Sequence, residues 1–140
     1  MKYKVVNDKL IIRLDKDEYV NKSVIEVFNR EGLKCGWVSG LGAVCDVDLA
    51  YYNLKNKKYS RKKFCDYFEL VSFSGNILLL DASHFIHSHV TLSSSDFKAI
   101  GGHLFDAKIS VTGEFKVDVL NVDINRKLCS NFNLNLMEIE

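Results

Sequence analysis

Hydrophobic residues along this chain recur at two spacings, that of an α-helix and that of a β-strand. The helical spacing occurs in one stretch. After Asp15 the apolar positions stand three or four residues apart, at Val20, Val24, Val27 and Phe28. This is the spacing of one face of an α-helix. Asp15 or Asp17 is placed to cap the start of the helix, and Gly32 to end it in the left-handed conformation. The pattern predicts one principal helix over about residues 17–31.

The remaining segments predict β-strands, because they are short, rich in β-branched and aromatic residues, and separated by Asn, Gly or Asp. They are "KLIIRL" before the helix and, after it, "CGWVSGLGAV", "VDLAYYNL", "YSRKKF", "YFELVSFSG", "NILLLDA", "FIHSHVTL", "HLFDAKISV", "EFKVDVLNVDI" and "FNLNLMEI". In "EFKVDVLNVDI" the alternation is strict, with Phe115, Val117 and Val119 on one face. Many consecutive strands and one helix predict an α/β fold of the α+β type, a mainly antiparallel sheet with the helix packed on it.

Three glycines in "GWVSGLGAV" superficially resemble a phosphate-binding loop. A dinucleotide-binding loop needs G-x-G-x-x-G between a strand and a helix. Here Gly36, Gly40 and Gly42 lie between two predicted strands, and no Lys-Ser/Thr follows them. We therefore expect a bend or bulge that brings the backbone close to another element.

Composition narrows the class of protein. With 140 residues, 47% hydrophobic and 26% charged, the chain has the composition of one globular domain, taken to span residues 1–140. Its longest apolar run is shorter than the ~20 residues of a membrane span, and "MKYKVVNDK" lacks a signal-peptide core, so we expect a cytoplasmic protein without membrane contact. The net charge of +1 gives no overall attraction to nucleic acid. The four cysteines form no C-x-x-C pair and are expected to be small buried apolar residues.

All four histidines lie between His84 and His103. If "FIHSHVTL" is a strand, His87 and His89 project from the same face with Cβ atoms ~6 to 7 Å apart. Two imidazoles at that separation can bind one metal ion, since Zn–N bonds are about 2.0 to 2.1 Å. His84 is three residues from His87 and would project from the opposite face, so we leave it out of the ligand set.

His103 is the third candidate ligand. It follows His89 after 13 residues, a length that suits a hairpin returning a neighbouring strand, and two glycines before it free the backbone to aim the imidazole. Three histidines without a fourth protein ligand are typical of an open catalytic zinc site. The spacing also fits ordinary surface or hydrogen-bonded core histidines, and both interpretations stay open at this point.

Two carboxylates lie within otherwise apolar strands. Burial would raise the pKa of Glu69 or Glu114, which would suit a general base or a hydrogen-bond partner for a ligating imidazole. Glu69 is the candidate catalytic residue of the two. The alternative is that each carboxylate lies on the solvent face of its strand, with Arg13 as a neighbour.

A basic run, "KNKKYSRKKF", is the candidate nucleic-acid contact. Its candidate residues are Lys57, Lys58, Arg61, Lys62 and Lys63. Clustered Lys and Arg can contact phosphates. A solvated hairpin tip would have the same composition, and we leave this alternative open.

Several motifs occur together in one order. They are "RLDKDE", "GWVSGLGAV", "YY", "FELVSFSGNI", "HSHVTL", "GGHLFDAKI" and the strand that begins at Glu114. In their order and spacing, over about residues 3–138, the chain resembles the plants-and-prokaryotes-conserved (PPC) domain, a family long regarded as a domain of unknown function.

The resemblance implies a compact α/β domain that assembles into a homotrimer. Prokaryotic members similar to this chain carry the H-x-H and G-G-H histidines as a zinc site, which corresponds here to His87, His89 and His103. Plant members attach the domain to AT-hook segments that bind A·T-rich minor grooves. This chain has no R-G-R-P element and no proline, so its sequence departs from the DNA-binding branch.

Three functions remain as hypotheses. The first is a homotrimeric zinc-binding domain, with the question of enzymatic activity left open. The second is a DNA-binding or transcription-associated module, which would bind less tightly as salt rises. The third is an oligomeric scaffold or small-molecule binder in which the metal is structural.

Overall fold

The structure, a computed structural model, describes residues 1–139. In chain order the elements are β1 (Lys2–Val6), β2 (Lys9–Asp15), α1 (Val20–Glu31), β3 (Cys35–Asn53), β4 (Lys58–Phe64), β5 (Phe68–Leu80), β6 (Ser83–Ser93), β7 (Ala99–Leu120), β8 (Arg126–Cys129) and β9 (Leu134–Met137). The predicted fold class is confirmed, because the described residues form a mainly antiparallel sheet with one helix.

Seven strands form one antiparallel sheet in the order β1-β2-β7-β6-β5-β3-β4. An additional pairing between β7 and β3 joins strands that this order separates. Strands β3, β5, β6 and β7 therefore close into a ring. At 22 residues, β7 is long enough to border β6 and β3 with its first part and β2 and β3 with its last.

Three strands, β3, β5 and β7, are longer than the sequence predicts. Predicted breaks inside β3, β5 and β7 are instead continuous strand. In β3 the expected bulge is confirmed, since the register with β5 shifts between Gly40 and Gly42. A Cβ at Gly40 would lie 2.2 Å from Cδ1 of Phe115. These glycines thus allow two strands to approach closely and bend, and do not end them.

The core lies between the helix and the inner face of the ring. The helical face is buried as predicted, at Val20, Val24, Val27 and Phe28. Opposite it, Phe115 and Val117 of β7 are buried, which confirms the alternation predicted for this strand. Full burial of each such side chain contributes about 1.5–3 kcal/mol. Among residues 1–139, no helix has the length and hydropathy needed to cross a membrane.

The helix begins later than predicted, and its cap comes from another strand. The predicted cap by Asp15 or Asp17 is wrong: the N-cap residue is Tyr19, which makes no side-chain capping bond. Asp106 of β7 instead accepts hydrogen bonds from the backbone N–H groups of Asn21, at 2.9 Å, and of Lys22, at 3.4 Å. These are the orphan donors of a first helical turn.

The end of the helix agrees with its prediction. Gly32 adopts the left-handed conformation, with φ 61° and ψ 31°. Its N–H donates to the carbonyl of Phe28. A glycine is favoured at this position because side chains clash in that conformation.

The hairpin of β8 and β9 docks beside β5. The backbone N–H of Leu79 donates to the carbonyl of Ile124 at 3.0 Å. Arg126 is buried at the start of β8 and donates from Nη1 to the carbonyl of Asn135, at 3.0 Å, and from Nη2 to Oδ1 of Asn76, at 2.6 Å. The hairpin thereby forms a wall along the sheet.

We predict that Asp106→Ala destabilises the fold by about 1–2 kcal/mol, because it leaves two helix donors without their acceptor. Asp106→Asn keeps one acceptor oxygen. It also removes a partly buried charge, whose burial raises the pKa of the Asp106 carboxyl. We therefore expect Asp106→Asn to lose less stability than Asp106→Ala. Urea unfolding followed by circular dichroism measures both.

The matched control is Asp123→Ala, which removes an exposed carboxylate paired with Lys34 at 3.4 Å. Exposed pairs of this kind contribute about 0–1 kcal/mol. Equal unfolding free energies for the Asp106→Ala and Asp123→Ala variants would contradict the capping role.

Candidate metal centre

Three histidines from two paired strands lie together. His87 and His89 project from the same face of β6, and His103 of β7 is directly paired with His89. The ring centroids are 5.0 Å apart for His87 and His89, 5.3 Å for His87 and His103, and 5.5 Å for His89 and His103. One ring nitrogen from each lies within 4.8 Å of the others.

Local sequence explains this placement. The two-residue period of β6 puts His87 and His89 on one face, and the β6–β7 pairing brings His103 alongside. A Cβ at Gly101 would lie 2.4 Å from the carbonyl oxygen of Val90. A larger residue there would push β7 away from β6, so the glycine keeps His103 in register with His89.

Burial makes two of the three imidazoles ready to bind a cation. The pKa values of His87 and His103 are lowered to about 4, in both cases mainly by burial and further by nearby charges that include Arg126. His89 is exposed. At neutral pH, His87 and His103 are therefore neutral, the form in which imidazole is a metal ligand.

One buried ring atom of this cluster lacks a hydrogen-bond partner. Among residues 1–139, two buried side-chain nitrogens have none: Nδ1 of His103 and Nε of Arg126. Zn–N bonds of about 2.0–2.1 Å in tetrahedral geometry place ligand nitrogens roughly 3.3 Å apart. The present nitrogen separations, all within 4.8 Å, exceed that value by at most about 1.5 Å. The three residues thus fit a metal ion bound by imidazole.

A pocket of about 490 Å³ opens beside the cluster. His87 and His103 line it, together with Tyr59 of β4 and residues of the C-terminal hairpin. Tyr59 stacks on His103, with ring centroids 4.9 Å apart and planes inclined by 29°. Arg126 closes another side of the pocket. A ligand in this pocket would lie next to two of the three candidate metal ligands.

Comparison with known proteins decides the family. The model of the Plants and Prokaryotes Conserved (PCC) domain matches residues 1–121. The chain belongs to this family. The predicted resemblance is thereby confirmed, and no curated protein gives a match.

Solved structures share this PCC fold over nearly their whole length. A protein from Bacteroides thetaiotaomicron, provisionally named a DNA-binding protein, is 28% identical, with a TM-score of 0.94 over 98% of this chain and 96% of that one. A metal-containing protein from Archaeoglobus fulgidus is 26% identical, with a TM-score of 0.87 over 99% and 97%. A plant- and prokaryote-conserved protein from Pyrococcus horikoshii, 22% identical, has a TM-score of 0.86 over 99% and 96%.

His84 lies apart from the cluster in this PCC domain, on the opposite face of β6 as predicted. Its Nε2 is 2.8 Å from the carbonyl of Leu33, and its Nδ1 is 2.7 Å from the side-chain amide of Asn29. Its ring packs edge-on against Phe28 at 5.5 Å. This histidine therefore fastens the end of α1 to the sheet.

The two candidate carboxylates are not beside the histidines. Glu69 is exposed and pairs with Ser93 near the start of β5, five residues before Ser74, which pairs with His89. Five residues along a strand correspond to roughly 15 Å. Glu114 is also exposed and lies opposite Arg13, whose guanidinium instead pairs with Asp15 at 2.9 Å.

The basic run forms the tip of the β3–β4 hairpin and the edge strand β4. Strand alternation places Lys58 and Lys62 on one face, and Arg61 and Lys63 on the other, with Lys57 in the turn before them. Arg61 pairs with Asp48 at 2.5 Å and lies 3.8 Å over the ring of Phe105. The predicted contact residues are therefore divided between two faces of β4, and the charge of one of these residues, Arg61, is balanced by Asp48.

Sequence reasoning missed Arg126 and Tyr59 as neighbours of the histidines. For Tyr59 a signal existed, since the alternation of "KYSRKKF" separates it from Lys58 and Lys62. For Arg126 no local signal distinguishes a buried arginine from a solvated one. Its burial follows from the docking of the C-terminal hairpin on β5.

We predict that the metal-free protein loses stability as pH falls from about 6.5 to about 4. The folded pKa of His87 and His103 is about 4, whereas an unfolded imidazole titrates near 6.5. Between these values the unfolded chain binds more protons, so acid favours unfolding. Urea unfolding of EDTA-treated protein at pH values of about 7, 5.5 and 4.5 measures the slope.

The variant His87→Gln with His103→Gln should flatten this dependence, while His84→Gln, as the control, retains it. Equal slopes for the double variant and the wild type would show that these two imidazoles do not set the pH dependence.

Proposed function

We propose that this PCC-domain protein binds a transition-metal ion, with zinc as the expected metal, through His87, His89 and His103. The observation that carries the proposal is the convergence of three ring nitrogens within 4.8 Å. The unpartnered Nδ1 of His103 supports it, as does the relative from Archaeoglobus fulgidus that is itself described as metal-containing.

The ligand set favours an open site over a closed one. Within residues 1–139 no cysteine or carboxylate joins the three histidines, and an all-imidazole set suits zinc. Zinc bound in this way acts as a Lewis acid that polarises a further ligand. The chain's contribution would be to hold three neutral imidazoles beside a pocket of about 490 Å³. This arrangement favours a ligand-binding or catalytic centre over a purely structural one.

We predict about one equivalent of zinc per chain in protein purified without a nickel column. The variant His87→Ala with His103→Ala should retain less than about a tenth of an equivalent. Elemental analysis measures both, and His84→Ala, which leaves the cluster intact, is the matched control. Zinc added to metal-free wild type should also raise Tm, because it binds the folded chain. Wild type with less than about a tenth of an equivalent, and no rise in Tm with zinc, would refute the proposal.

We propose further that the protein assembles with itself as a homotrimer. Three exposed apolar side chains, Tyr67, Phe97 and Val111, line one pocket of about 520 Å³ with Ala43 and Glu69. Clusters of exposed apolar residues of this kind mark interaction surfaces. A second copy of the chain is the occupant that the family resemblance implies.

Light scattering should give three times the mass of one chain. Val111→Lys places a charge in the apolar contact and should shift the protein to monomers. Leu128→Lys changes a similarly exposed apolar residue of the C-terminal hairpin, 61% exposed against 69% for Val111, and should leave the trimer intact. A monomeric wild type, or a Val111→Lys variant with unchanged mass, would rule out this interface.

DNA binding has weaker support in this chain. The 28% identical relative carries a provisional DNA-binding name. In this chain the basic residues lie on two faces of β4, and Arg61 is paired with Asp48. A phosphate backbone is contacted by cations on one continuous surface. Metal binding is therefore the function that the geometry supports better.

A further inference from the structure

Arg126 differs from the other three arginines of the chain. Arg13, Arg30 and Arg61 are each about half exposed, and each pairs with a carboxylate. Arg126 is 8% exposed. Within the described residues 1–139 no carboxylate lies within ion-pair distance of it. It is a buried cation without a counter-charge.

The present partners of Arg126 do not balance its charge. The acceptors of its two hydrogen bonds, Oδ1 of Asn76 and the carbonyl of Asn135, are neutral. Its Nε–H is buried without any acceptor. Burial lowers its pKa, although a guanidinium stays charged at any physiological pH. Burying an unpaired charge is costly, so an anion at this position would be strongly favoured.

The residues that line the pocket around Arg126 indicate what the rest of a ligand would be. Three aromatic rings, Tyr59, Phe85 and Phe105, line the pocket, and the guanidinium carbon lies 5.3 Å from the centroid of Phe85. From the hairpin come Leu134, Leu136 and Met137. Within the part of the chain that the structure describes, residues 1–139, no lysine and no other arginine lines the pocket. Three asparagines also line the pocket, but most of its surface is apolar. A ligand with one negative group and an apolar body matches one guanidinium in a largely apolar pocket.

We propose that Arg126 is the anion receptor of this pocket, and that the pocket binds an organic carboxylate whose apolar body lies against the aromatic walls. A carboxylate matches the planar, singly charged fork of a guanidinium, whereas a phosphate dianion typically gathers several cations or a helix N-terminus. The carboxylate would lie close to His87 and His103. Its position next to a metal rests on the proposed function, whereas the receptor role of Arg126 does not.

The receptor belongs to a different part of the chain from the histidines. The family match ends at residue 121, whereas Arg126 and the hairpin wall follow it. The C-terminal hairpin would therefore supply the anion receptor, whereas strands β4, β6 and β7 supply the aromatic walls, and β6 and β7 the candidate metal ligands.

Calorimetric titration of metal-free protein with benzoate, and with benzamide as its neutral isostere, tests the receptor. Wild type should bind benzoate at least about tenfold more tightly than benzamide. Arg126→Met should weaken benzoate binding by at least about tenfold and leave benzamide binding nearly unchanged. The matched control is Lys127→Met, which removes a cation from the next position of β8, where Lys127 is exposed and pairs with Glu138. It should bind benzoate as wild type does.

Several results would overturn the proposal. They are no benzoate binding by wild type, equal binding of benzoate and benzamide, or equal benzoate affinity in wild type and Arg126→Met. Stronger competition against benzoate by inorganic phosphate than by acetate would overturn the carboxylate assignment. The benzamide comparison needs no variant, so the test holds even where Arg126→Met does not fold.

Repeating the titration after zinc loading separates this proposal from the metal site. Tighter benzoate binding with zinc supports a carboxylate beside the metal, and unchanged affinity in zinc-loaded protein overturns that placement. If the wild type holds no zinc but binds benzoate through Arg126, the metal proposal fails while the receptor stands.

Discussion

The double pairing of β7 is the constraint on which the rest of the structure depends. Its first part is hydrogen-bonded to β6 on one side and β3 on the other, which closes the ring of strands and leaves no free edge there. The same pairing sets His103 opposite His89. Asp106, three residues further along β7, reaches the first turn of α1. One strand thus fixes the sheet, the helix and the candidate metal centre.

Two histidines of the cluster, His87 and His103, are partly buried, and Nδ1 of His103 has no hydrogen-bond partner. In an interior where nearly every polar atom is paired, the two buried side-chain nitrogens without a partner among residues 1–139 belong to His103 and Arg126, which line the same pocket. Packing could have satisfied both with a nearby side chain. Their position in one pocket is the observation on which both the proposed metal site and the proposed anion receptor rest.

Local patterns in the sequence were sufficient for the helix, for most of the strands and for part of the site, but not for β1 or β8. The period of Val20, Val24 and Val27 predicts the helix, and the H-x-H spacing predicts that His87 and His89 share a face. The features that the sequence did not predict depend on contacts between residues far apart in the chain. The cap from Asp106 and the burial of Arg126 depend on residues 85 and 50 positions away, and no local period reports them. The positions of Glu69 and of the histidines along β5 and β6 likewise follow from strand register.

The C-terminal hairpin has a consequence for how this protein can change over time. It contributes a wall of the pocket, yet outside its own pairing it is held by few bonds, among them that from Leu79 to Ile124 and that from Arg126 to Asn76. Substitutions in it can alter the shape and charge of the pocket without disturbing the paired strands that carry the histidines. The fold thereby separates the paired strands that carry the histidines from a hairpin that can vary, so related chains could differ in the shape and charge of this pocket while keeping the same arrangement of histidines.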